Sequence, residues 1–201
     1  MRLYPTADTR ISSSLRLVFG IVTILSIMCT ACQSKNQTAP PPVQWDFEQD
    51  AIHLRYDASP DLNQYGGSSH SLMLLVFQLT DAADFTNYTQ TPDGIQRLLQ
   101  YHDLDQRKTI DLKNKADLQR FFINPGSSGV LHIDRVKDAR SIGVVAGYFD
   151  IVAEQCTRVI RIPIEKTEQG FLRKTIHSRP GRLLIDIQLG PRAMHLRKDP
   201  S

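Results

Sequence analysis

From Trp45 onward, apolar and polar residues alternate mostly with a period of two. Ile52, Leu54 and Tyr56 alternate with His53, Arg55 and Asp57, the pattern of a strand with one buried face. Leu72–Leu79, LMLLVFQL, is continuously apolar and too short for a membrane span, so it predicts a central strand covered on both faces. Between them lies Ser59–Ser71, thirteen residues of turn formers and hydroxyls that predict a long loop. Helical spacing follows: Phe85 and Tyr88 stand three apart, and Thr91 precedes Pro92 at a first helical position. Ile95, Leu98 and Leu99 then share one face, predicting helix to about Leu104. Further short strands are predicted at 108–112, 118–123, 130–135, 142–149, 157–163, 172–177 and 183–189, punctuated by turns such as Asn124-Pro125-Gly126. Eight or nine strands with a short helical insertion after the second predict a mainly β, two-sheet sandwich over residues 45–190. Residues 191–201 are polar and predict a frayed tail.

The first 31 residues have a different character. Arg2, Arg10 and Arg16 precede a charge-free run from Leu17 to Met28. Twelve residues of helix reach about 18 Å, short of the ~30 Å hydrocarbon core, so the run reads as a secretory signal peptide. Thr30 and Ala31 precede Cys32 and resemble the bacterial lipobox, in which the cysteine becomes the lipidated first residue of the mature chain; Cys29 stands where that pattern prefers an aliphatic residue. Removal of residues 1–31 leaves 21 positive and 20 negative side chains, so the apparent basicity belongs largely to the leader. A near-neutral remainder gives no reason to expect a nucleic-acid partner. Residues 32–44 then comprise the lipidated cysteine and a proline-rich tether with a reach of roughly 35–40 Å when extended. Gln33, rather than Asp, follows the cysteine, which implies transfer to the outer membrane. Cys156 is left as a lone thiol in an oxidising compartment and is expected to be buried.

Catalytic motifs are absent: there is no GxSxG, HExxH, P-loop or GxGxxG. Ser69 and His70 are adjacent on a loop, an arrangement that rarely holds nucleophile and base in register. Asp81 and Asp84 are explained as helix N-terminal residues. The six histidines are scattered without i,i+2 or i,i+4 pairs, so no metal site is expected, and no cofactor beyond the lipid on Cys32. Neither catalysis nor a small-molecule substrate is therefore expected. Binding is, and the candidate surface is the Ser59–Ser71 loop, which is longer than a hairpin needs. Leu62 and Tyr65 within it are either contact groups or lids tucked onto the domain, with Asn63, Gln64, Gly66 and Gly67 beside them.

Several segments in order, Leu62-Asn63-Gln64-Tyr65-Gly66, Val76-Phe77-Gln78-Leu79, Asp84-Phe85, Asn124-Pro125-Gly126 and Ile142–Asp150 (IGVVAGYFD), resemble the type VI secretion lipoprotein family called TssJ or VasD, over roughly Ile52 to Ile162. Cys156-Thr157-Arg158 departs from that family's Trp-Arg pair, and Gln64-Tyr65 from its usual continuation of the loop. The resemblance implies a transthyretin-like sandwich anchored by lipid on Cys32 in the outer membrane and facing the periplasm. It implies that the loop Leu62, Asn63, Gln64, Tyr65, Gly66 and Gly67 binds the periplasmic C-terminal domain of the inner-membrane component TssM. The alternative is an envelope lipoprotein whose sandwich binds a small ligand or glycan, disfavoured by the lone Trp45 beside the tether.

Overall fold

Ten strands alternate with three short helices in a computed structural model that describes residues 42–101, 112–170 and 175–197, all within the unit Pro40–Ser201. In chain order these are β1 (Glu48–Ala58), β2 (Leu72–Leu79), α1 (Ala83–Thr89), α2 (Pro92–Leu99), β3 (Lys115–Ile123), β4 (Ser128–Arg135), β5 (Ser141–Ala146), α3 (Ala153–Cys156), β6 (Thr157–Arg161), β7 (Ile164–Gln169), β8 (Thr175–Pro180), β9 (Leu183–Leu189) and β10 (Met194–Leu196). One sheet has the order β10-β9-β1-β4 and the other β3-β2-β5-β6, while β7 and β8 form a separate hairpin. The predicted two-sheet sandwich is therefore what forms.

The core follows from side-chain parity. Ile52 and Leu54 of β1 and Leu183, Ile185, Ile187 and Leu189 of β9 point inward from the first sheet. Leu72, Leu74 and Val76 of β2 and Ile142, Val144 and Ala146 of β5 meet them from the second. The odd positions Leu75, Phe77 and Leu79 face the other way and pack with Phe85, Ile95 and Leu98 of α1 and α2. The helical insertion thus covers the outer face of the second sheet, which explains why β2 is apolar at both parities. Local signals start the helices: the Asp81 carboxylate accepts from Ala83 N at 2.7 Å, and the Thr91 hydroxyl accepts from Gly94 N at 3.1 Å with Pro92 behind it.

Gln78 is the one polar residue on the inward parity of β2, and it is fully buried. Its Nε2 donates to Asp134 O at 2.8 Å and its Oε1 accepts from Val136 N at 3.0 Å, so one side chain joins the second sheet to the end of β4 in the first.

Several elements differ from expectation. Helix α2 ends at Leu99, β5 stops at Ala146 short of Phe149, and the Arg161 end of β6 precedes Pro163. Of the strand expected at 108–112, all but Leu112 lies outside the described residues, as does the expected helix end at Leu104; β3 begins early, at Lys115. The hairpin β7–β8 takes in Ile164–Gln169, which alternation does not mark. The frayed tail is a correction. Met194 is fully buried and pairs with Leu189, Arg197 forms a 2.6 Å ion pair with Asp57, and the Arg158 guanidinium donates to Met194 O at 2.7 Å. Met194, the buried residue of β10, anchors the edge strand of the first sheet, so the sandwich extends past residue 190; residues 198–201 lie outside those described.

Replacing Gln78 with Leu removes the side-chain partner of two part-buried backbone groups, Asp134 O and Val136 N. The variant is expected to lose about 1–3 kcal/mol despite its added apolar surface, read as a lower urea midpoint at unchanged m-value. An unchanged or raised midpoint contradicts the bridging role.

Candidate functional site: a braced hairpin and its aromatic pair

The connection from β1 to β2 crosses between the sheets and is ordered throughout by its own chemistry. Leu62 N donates to Ser59 O at 3.0 Å, and His70 N returns to Leu62 O at 3.0 Å. At the tip, Tyr65 and Ser68 exchange both backbone hydrogen bonds, at 2.9 and 3.1 Å. Gly66 and Gly67 between them have φ of 59° and 79°. Two positive φ values across a two-residue loop make a type I′ hairpin turn, for which Gly-Gly is suited. The loop is also fastened sideways, because Gln64 N donates to Pro191 O at 2.9 Å in the β9–β10 turn.

The six residues expected to form the contact divide into two groups. Leu62 is fully buried in the inter-sheet core and Asn63 is 4% exposed, so both are braces rather than contact groups. Gln64, Tyr65, Gly66 and Gly67 are exposed. Asn63 has φ of 47°, a conformation that asparagine tolerates better than most residues. Its Nδ2 donates to Ser71 O at 3.2 Å, and its Oδ1 accepts from Phe149 N at 3.0 Å. The carboxamide therefore joins both arms of the loop to the chain leaving β5.

That link brings in a residue the loop-centred reading missed. Phe149 is 52% exposed and stacks on Tyr65, itself 60% exposed, with ring centroids 4.6 Å apart and planes 18° from parallel. His70 meets Phe149 edge-on at 5.0 Å. Two hollows flank the hairpin. One, of about 420 Å³, is lined by Asn63, His70, Met73, Phe149 and the exposed Phe122. The other, of about 640 Å³, is lined by Gln64, Asp150, Val152, Pro191, Arg192 and His195. Adjacent solvent-facing aromatics rimmed by polar groups have the composition of a protein-contact patch.

Groups that might carry chemistry lie elsewhere or are disarmed. Cys156 is a free thiol buried in the core, where burial pushes its pKa up, so it is packing rather than nucleophile. Ser69 is exposed, while the shielded Nδ1 of His70 has no hydrogen-bond partner, so the two do not form a nucleophile–base pair through that nitrogen. Trp45 is partly buried against the core. The histidines, however, do not all lie apart as their spacing suggests: His53 and His132 come together beside Asp50. Among the described residues no helix is long and apolar enough to cross a membrane; Cys32 and the leader lie outside those residues.

If Asn63 sets the loop's position, Asn63→Ala frees Ser71 O and Phe149 N and places alanine at positive φ. Expected is a loss of about 1–3 kcal/mol, with faster hydrogen exchange at the Tyr65 and Ser68 amides. Unchanged exchange at those amides shows that the hairpin stands without the brace.

Comparison with known proteins bears on this geometry. A family model described as type VI secretion lipoprotein (VasD, EvfM, TssJ) matches residues 50–188. Comparison with curated protein sequences gives no match. Among solved structures, Serratia marcescens Lip, a membrane-bound component of the type VI secretion system, is 20% identical at a TM-score of 0.53, covering 74% of this chain and 97% of its own. The lipoprotein TssJ1 from Pseudomonas aeruginosa is 20% identical at 0.52, covering 80% and 99%. A chain solved as the type VI secretion TssM C-terminal domain from EAEC is 16% identical at 0.50, covering 73% and 97%. At such identities the likenesses establish a shared fold, whereas the family model spans more than half of this chain. The chain belongs to the type VI secretion lipoprotein family.

Proposed function

We propose that this lipoprotein is held by acyl chains on Cys32 in the outer membrane, facing the periplasm. There it docks the periplasmic C-terminal domain of a TssM-like inner-membrane protein through the hairpin tip, helping to assemble the envelope-spanning complex of a type VI secretion system. The observation that carries the docking surface is the stacked, exposed Tyr65–Phe149 pair on a turn that is braced at both ends. A fixed tip loses little conformational entropy on binding, and two large rings offer apolar area where the partner can exclude water. Acylation contributes about 0.8 kcal/mol per buried CH2 and confines the domain near the membrane, which raises its effective concentration for the partner. Nothing in this role requires turnover, and we assign no catalytic residue.

With the full chain in detergent and the periplasmic domain of the TssM-like protein from the same system, Tyr65→Ala and Phe149→Ala should each weaken binding by about tenfold or more. Leu184→Ala, on the outer face of β9 and 70% exposed, should leave affinity unchanged. Full affinity in the Tyr65→Ala/Phe149→Ala double variant overturns the docking assignment. The anchor has its own test: Cys32→Ser should move the protein from the outer-membrane fraction to the soluble periplasm, and retention in the membrane contradicts lipidation there.

A further inference from the structure

The His53, His132 and Asp50 group lies on the opposite face of the first sheet from the core, at the end of β1 where the chain enters the sandwich. His53 and His132 are direct cross-strand partners in the antiparallel β1–β4 pairing. Their ring centroids stand 4.6 Å apart at 61°. Asp50 should not be with them: residues three apart in an unbroken strand face opposite sides of the sheet. It joins them because the register shifts between Glu48 and Ile52, so that four steps along β1 oppose only two along β4. Asp50 sits in this bulge at φ of 53°, with its N–H held by the Asp134 carboxylate at 2.8 Å. Bulges commonly serve to re-aim a side chain. Here one carboxylate oxygen is brought to 2.8 Å from His132 Nδ1 and 3.0 Å from His53 Nε2. His53 Nε2 is shielded from solvent with the Asp50 carboxylate as its near neighbour, and the two imidazoles, His132 first, hold the Asp50 carboxyl below its ordinary range.

We propose that Asp50, His53 and His132 form a binding site for a divalent transition-metal cation such as zinc, which clips the entry of β1 to β4. The three candidate ligand atoms lie within 4.8 Å of one another. Ligands at ~2.0–2.1 Å around tetrahedral zinc are about 3.3 Å apart, so small side-chain movements suffice, and His132 is 60% exposed and free to make them. Two imidazoles and one carboxylate suit zinc, copper(II) or nickel, with a water completing the shell. Five residues of strand, roughly 17 Å, separate His53 from the Ala58 end of β1 where the hairpin loop begins, so the site is distinct from the docking tip and does not depend on that reading.

The test is calorimetric titration of ZnCl2 into the metal-stripped, tag-free full chain in detergent. One equivalent is expected to bind saturably and raise the thermal midpoint. Asp50→Asn, which keeps a residue tolerant of positive φ, and His132→Gln, on the exposed side chain, should each weaken binding by about tenfold or more, at least the loss typical of an outer-shell partner. His177→Gln and His195→Gln should change nothing. Absence of saturable binding, or equal affinity in the Asp50→Asn and His132→Gln variants, overturns the site.

Discussion

One buried carboxamide determines what the long first connection can do. Asn63 donates to the chain entering β2 and accepts from the chain leaving β5, at a backbone angle few residues adopt without strain. Both bonds are part-buried, and losing either leaves one end of a buried carboxamide without its partner. Leu62, sunk between the sheets, adds apolar burial to the same anchorage. Beyond these two residues the chain turns back on itself within Gly66 and Gly67, which sets Tyr65 against Phe149. A loop of thirteen residues thus behaves as a short, stiff projection.

That projection depends on the sandwich beneath it. β2 sends alternate side chains to two separate cores, one shared with the opposite sheet and one roofed by α1 and α2. Gln78 interrupts the first of these and bonds the backbone at the end of β4. The roof lies over the second sheet, the hairpin tip at the far end of β1, and the histidine cluster where β1 begins. The proposed partner contact and the proposed cation clip therefore draw on different residues.

The alternations at Ile52–Tyr56 and Leu183–Leu189 are legible in the sequence because each strand has one dry face, and period-two patterning is a direct record of that. β2 is legible for the converse reason, and Thr91-Pro92 announces its helix through local chemistry. What stays hidden is set by distant partners. Whether Leu62 reaches a partner or the core depends on where β2 and β5 pass beneath it. Phe149 joins Tyr65 across more than eighty residues, so a search centred on the loop has no signal for it. Met194 and Leu196, three residues of strand in all, carry too little pattern to mark an edge strand. Asp50, His53 and His132 meet only through a cross-strand register and a bulge, neither of which has a sequence spacing to detect.

The most direct test of the central claim is site-specific photocrosslinking in living cells, with a photoreactive phenylalanine analogue placed at Tyr65, Phe149 or Leu184 in turn. The account predicts that positions 65 and 149 yield an adduct containing the periplasmic domain of the TssM-like protein, identified by mass, and that position 184 yields none. That adduct arising from position 184 while 65 and 149 remain silent would contradict it.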